Sequence, residues 1–136
     1  MNIKNLLKIY GLKLKDFKKY KFYEYKQDLW ITTEEVLNFK NFRIHKRGIK
    51  IARRFLHGIK PTTAFAQLFG NLSKKNFVFI KDEDLKTFIN GGTVKAELTP
   101  DYKFVIVKWK SYPIGIGLYK EGKVKSQIPG SRRNVD

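Results

Sequence analysis

The chain contains no cysteine, which removes disulfides, thiolate metal sites and thiol nucleophiles together. Histidine is nearly as scarce. His45 and His57 stand alone, and neither belongs to a nucleophile–base–orienter set. No apolar run approaches the ~20 residues that span a bilayer. The first residues, MNIKNLLKIYGLKLKDFKKYK, lack an apolar core long enough for a signal peptide, so a cytoplasmic protein is expected. No segment reads as a basic amphipathic helix with an unbroken apolar face, so no membrane partner is expected. Internal repeats and low-complexity linkers are also missing.

Acidic residues are few, 12 against 29 basic ones, for a formal net charge of +17. Paired carboxylates for a metal nuclease would have to come from Asp82–Asp84, which are explained more simply as charges at a helix N-terminus. No catalytic residue, metal ligand or cofactor is therefore expected, and the chain reads as a protein without enzyme activity. A basic surplus of this size repels itself unless an anionic partner screens it, and nucleic acid is the usual partner.

Hydrophobic residues at 42% and aromatics at 15% of 136 residues are enough for a folded protein of one domain or two very small ones. Residues 2–20 suggest a short helix broken at Gly11 and a second short element. KFYEYKQDLWIT has the composition of a strand, and TTEEVLNF reads as a helix with Thr32 as N-cap and Glu35 as its capping-box partner. In FRIHKRGIKIARRF, Phe42 and Ile44 alternate with polar residues, as do Ile49 and Ile51. This predicts a hairpin turning at Lys46–Gly48. PTTAFAQLFG predicts a helix with Pro61 at its start, Thr62 or Thr63 near the cap and Gly70 at its end. NFVFI reads as a buried strand and KDEDLKTFINGG as a short helix ended by glycine. From 93 to 130 only strands and turns are expected: TVKAEL, YKFVIVKWK, YPIGIGLYK, a turn at Glu121-Gly122, and KVKSQIP. That spacing suggests a small barrel. The one compositional seam, GNLSKKN at 70–76, is a place for a domain boundary.

Two basic stretches are candidate phosphate contacts. Eight basic residues and no acid lie between Asn38 and Lys60, among them Arg43, Lys46, Arg47, Lys50, Arg53 and Arg54. Between Lys103 and Arg133 a second series, including Lys123, Lys125, Arg132 and Arg133, faces the single acid Glu121. Tyr112 and Tyr119 are interleaved with it. They are either rings for an unpaired base to stack on or caps on the core. Gly115 and Gly117 match neither nucleotide-binding glycine motif, because strand and turn follow them where a helix is required. In a strand, such glycines mark a bulge, a barrel corner or the close approach of another backbone.

The order Tyr112, Pro113, Ile114, Gly115, Ile116, Gly117, continued by Gly122, Val124, Lys125 and Ile128-Pro129, resembles a known family. It is the PUA-like domain at the C-terminus of RsmF-type (Nop/Sun family) rRNA cytosine-C5 methyltransferases, with related stand-alone PUA proteins of ribosome assembly. Gly48–Ala52 and Ile59–Ala64 occupy the places of the family's upstream motifs, and Phe88–Gly92 those of its short helix. Asn90, Gly92 and Ser126 depart from its pattern. The resemblance covers 42–133. The family's methyltransferase part, with its glycine-rich cofactor loop and cysteine nucleophiles, has no counterpart in this sequence.

The resemblance implies an α+β protein with a small N-terminal α/β unit over 1–72 and a PUA-like β-barrel over 73–136. It also implies non-catalytic binding of structured RNA, rRNA or tRNA, in ribosome assembly or RNA modification. The phosphates would lie on the basic residues named above, with an RNA backbone close to Gly115 and Gly117. The alternatives are an accessory subunit for a separate methyltransferase or assembly factor, and a general DNA- or nucleic-acid-binding protein.

Overall fold

The computed structural model describes residues 3–32 and 48–130. Helix α1, Ile3–Tyr10, ends at Gly11 in the left-handed region (φ 66°), and a 3-10 turn at Leu14–Phe17 follows. Four antiparallel strands then form the first sheet in the order β1 (Lys21–Tyr25), β2 (Asp28–Thr32), β3 (Ile49–Phe55) and β4 (Gly58–Pro61). KFYEYKQDLWIT is thus two strands of a tight hairpin, not the one strand expected. Lys26 takes a positive φ of 57°, a conformation that the strand-favouring composition around it does not signal.

Strand β3 pairs with β2 on one side and β4 on the other. Residues 42–47, the expected hairpin partner of Ile49–Ile51, lie outside the described residues, as does the helix expected after Thr32. The register with β2 shifts between Leu29 and Trp30, leaving Ile51 as an extra residue between Lys50 and Ala52. A bulge breaks period-2 alternation. Ile51 and Ala52 are therefore both fully buried, while Ile49, expected on the same face as Ile51, is exposed.

Helix α2, Thr63–Phe69, begins as read from the sequence. The Thr62 hydroxyl accepts from Phe65 N–H at 3.2 Å and donates to the Lys50 carbonyl at 2.8 Å. A 3-10 turn at Gly70–Leu72 leads into the second sheet. Its order is β5 (Phe77–Phe79), β7 (Phe104–Trp109), β8 (Tyr112–Lys120), β9 (Lys123–Ser126) and β6 (Thr93–Lys95). Between β5 and β6 lie a 3-10 turn at Asp82–Asp84 and helix α3, Leu85–Ile89. The architecture is mixed α+β, with a curled half-barrel as its second sheet. NFVFI is the edge strand β5, parallel to β7. Asn76, Val78 and Ile80 are buried, but Phe77 is only partly so and Phe79 is 56% exposed, because nothing pairs beyond this strand among the described residues.

β7 shows why its sequence is a continuous apolar run. Phe104 and Ile106 point into a core shared with α1, α2 and the first sheet, while Val105 and Val107 point into a second core with Val78, Phe88 and Val124. Both faces are covered, so alternation disappears. β8 and β9 are joined by Glu121 and Gly122, both at positive φ (52° and 80°), the mirror-image turn that suits a two-residue hairpin.

The seam at 70–76 is stitched to the N-terminal helix. Lys74 N–H donates to the Tyr10 carbonyl at 2.9 Å, and the Asn76 side-chain amide donates to the Ile9 carbonyl at 2.7 Å. These bonds satisfy acceptors that a helix C-terminus leaves open. The buried Tyr10 hydroxyl donates to the Phe104 carbonyl at 2.8 Å, and burial pushes its pKa well above the usual tyrosine value. Among the described residues, no helix is long and apolar enough to cross a membrane.

Candidate nucleic-acid interface

The first core covers only part of the β8–β9–β6 face that looks toward the N-terminal unit. Where it stops, lysines take over. Lys120, Lys123 and Lys95 stand directly opposite one another on three adjacent strands, and the next row holds Leu118, Lys125 and Thr93. The pleat puts both rows on one face, and the exposed–buried alternation of Lys123–Ser126 agrees. Opposed side chains in a sheet have Cβ atoms about 5 Å apart, and like charges there are destabilising. No carboxylate lies within ion-pair distance of Lys95, Lys120, Lys123 or Lys125 among the described residues. Lys120, Lys123 and Lys125, with Leu118 and Thr93, line an open groove of about 510 Å³, with Glu121 at its turn end.

The groove continues toward the first sheet. Lys60 on β4 donates to Gln127 Oε1 at 2.8 Å and holds its ammonium 5.6 Å from the Phe104 ring centroid. Lys103 lies over Phe55 at 4.7 Å and near Phe104 at 5.7 Å. Burial first, and then the neighbouring Arg53, lowers the Lys60 pKa from the usual lysine value. An anion arriving there would relieve both penalties.

The expected site residues divide. Lys123 and Lys125 are in the groove. Arg43, Lys46, Arg47, Arg132 and Arg133 lie outside the described residues. Arg53 and Lys50 instead hold Asp28, at 2.9 and 3.8 Å. Arg54 is exposed beside a separate cleft of about 530 Å³ lined by Asn5, Ile9 and Tyr102. Lys60, Lys103 and Lys120 belong to the basic stretches read from sequence but were not singled out there. Strand register brings Lys120 beside Lys123, and tertiary contacts with Gln127, Phe55 and Phe104 bring Lys60 and Lys103 to the same side.

Gly115 and Gly117 do not face a ligand. β8 is an interior strand, and both glycines are buried toward the second core. A Cβ on Gly115 would come within 2.9 Å of Ile128, and one on Gly117 would overlap Val124 and reach Val107 at 3.1 Å and Phe88 at 3.5 Å. Their lack of a side chain makes room for Phe88, Val124 and Ile128, so the close approach that the structure shows is an internal one. The tyrosines separate as well. Tyr119 is half-buried against the second core, whereas Tyr112 is 59% exposed. Tyr112 also sits at the far end of β8 from Lys120, roughly 25 Å away at ~3.3 Å per residue, and the bulge at Ile114 puts it on the opposite face, beside Trp109.

Other candidates take structural places. Asp82 accepts a hydrogen bond from the Trp109 indole at 2.8 Å. Lys108 is buried, with its ammonium 4.2 Å from the Phe77 ring centroid, and burial lowers its pKa. No group of three His, Asp or Glu side chains converges among the described residues.

Residues 75–134 match the family model described as the methyltransferase RsmF PUA domain. The chain is 25% identical over 104 residues to the ribosomal RNA small subunit methyltransferase F of Aeromonas hydrophila, covering 76% of this chain and 22% of that protein. It is 25% identical over 87 residues to the protein of the same name from Aeromonas salmonicida, covering 64% of the chain and 18% of the relative. The chain thus spans about a fifth of the length of the curated relatives it matches. The resemblance carried by Tyr112–Gly117 and the residues after it holds over the matched segment.

Proposed function

We propose that this protein binds structured RNA, rRNA or tRNA, without catalysing a reaction, through the lysine rows of β8, β9 and β6. The observation that carries this reading is the set of facing lysines, Lys95, Lys123 and Lys120, with no carboxylate among the described residues to neutralise them. A row of that kind is costly on an isolated sheet and favourable beneath a phosphate backbone. The match to an RsmF PUA domain supports RNA over other polyanions, as does the name of the relatives, which are methyltransferases of small-subunit ribosomal RNA. Residues 73–136 would provide the sheet, and residues 1–72 would contribute Lys60 and brace it. The setting would be ribosome assembly or RNA modification in the cytoplasm, with a separate methyltransferase or assembly factor as a second partner.

Competition between a folded RNA and duplex DNA of equal length, at near-physiological salt, tests the reading. RNA is expected to win, and equal affinity would overturn it. Replacing Lys120, Lys123 and Lys125 together with glutamine should reduce the slope of log affinity against log salt by roughly 2, at about 0.7 per lost contact. An unchanged slope would place the RNA on another face.

A further inference from the structure

We infer that Trp109 and Tyr112 form a second RNA contact, a platform for one unpaired base; the inference rests on the RNA-binding reading above. The two rings close the β7–β8 hairpin as directly opposed residues. Their centroids are 5.8 Å apart and their planes 26° from parallel, a stacked pair. Trp109 is fixed from behind, because its indole N–H donates to Asp82 and its ring packs against the second core. Tyr112 is the outer ring of the stack. It is 59% exposed, and Trp109 is its one ring neighbour among the described residues. Lys110 sits in the turn at φ 56°, with its ammonium 4.8 Å from the Trp109 centroid.

An exposed ring backed by a half-buried one that is anchored to Asp82, with a cation beside it, matches a nucleobase and its phosphate. Stacking supplies the first contact and charge the second. The alternative role, a lid on the core, accounts for Trp109 but not for Tyr112, whose ring lies outside that core. Because the platform is at the other end and on the other face of β8 from the lysine rows, one rigid duplex on the groove does not cover it. A single-stranded tail leaving that duplex would reach it, so the protein should distinguish tailed from blunt RNA.

Trp30→Phe leaves Trp109 as the sole tryptophan. The substitution suits the site, because the Trp30 indole N–H has no acceptor among the described residues and a ring at 30 can still stack on Tyr23. In this background the full chain is titrated with an RNA hairpin that is blunt or carries a tail of ten adenosines. The tailed RNA is expected to bind about tenfold more tightly and to quench Trp109, while the blunt RNA binds without quenching. Tyr112→Leu should abolish the tail's advantage and leave blunt-hairpin affinity and its salt slope unchanged. Equal binding of both RNAs with no change at Trp109 would overturn the platform and leave the lysine groove standing. Failure to bind either RNA would overturn the RNA-binding reading and the platform with it.

Discussion

Gly117→Ala is expected to destabilise the protein by about 3 kcal/mol, at the upper end of what overpacking a core costs. The added methyl group has nowhere to go. Its nearest neighbour, the Val124 side chain, is fully buried and sits on the adjacent strand, with Val107 and Phe88 behind it. Gly115→Ala should cost less, about 1 kcal/mol, because its contact is Ile128, which follows the last strand and has room to shift. The decisive measurement is a double-mutant cycle by denaturant unfolding. Val124→Ala alone leaves a cavity and costs about 2 kcal/mol, but in Gly117→Ala it vacates the space that the new methyl needs. The double variant should therefore be more stable than the sum of the single effects by at least 1 kcal/mol. Strict additivity would mean that the two side chains do not compete for one space, and the packing account of the glycine pair would fail.

That glycine pair also shows how far the sequence could be read. GIG was legible as strand glycines, because neither nucleotide spacing is present and strand signals follow. Which backbone or side chain came close was not legible, since that depends on Phe88, 27 and 29 positions earlier in the chain, swinging across the sheet. Helix α2 was readable to its cap because capping is local chemistry within Thr62–Gly70. The β1–β2 hairpin was missed because its turn uses Lys26 at positive φ, with no glycine, asparagine or proline to mark it. For the site, Lys123 and Lys125 were legible as charges, but Lys95 and Lys120 join them only through the β8–β9–β6 register, and Lys60 only through its contact with Gln127 across the two sheets. The ion pairs of Lys50 and Arg53 were not legible for a related reason. Asp28, 25 residues before Arg53, is brought opposite it by strand pairing, which a local charge count misses.

Asn76→Ala should cost about 3 kcal/mol and expose what the seam does. Asn76 is buried and sits in the left-handed region at φ 58°. Its amide donates to the Ile9 carbonyl and to Asp101 Oδ1, both at 2.7 Å, and its carbonyl oxygen accepts from Asp101 N–H at 3.0 Å. Alanine loses these hydrogen bonds, at roughly 1 kcal/mol each where burial leaves the partners unsatisfied, and takes on a backbone conformation that asparagine tolerates better. Glycine removes the same bonds without the backbone cost, so Asn76→Gly should recover about 1 kcal/mol of the loss. Acid sensitivity provides an independent check. The hydrogen bond from Asn76, and next Lys75 at 3.6 Å, holds the Asp101 carboxyl below the usual aspartate range against a smaller opposing effect of desolvation. A depressed folded-state pKa stabilises above the unfolded value of about 3.9, and that contribution is lost as pH falls through the folded value. The wild type should therefore lose stability below about pH 4 more steeply than either Asn76 variant. Asp101→Asn, which keeps an oxygen to accept and a backbone N–H to donate, should flatten the acid limb while costing less at neutral pH than Asn76→Ala. If all four proteins lose stability in parallel below pH 4, Asp101 is not held through Asn76, and the role of Asn76 at the seam is confined to the Ile9 carbonyl, beside the bonds that Ser73 and Lys74 make to Tyr10.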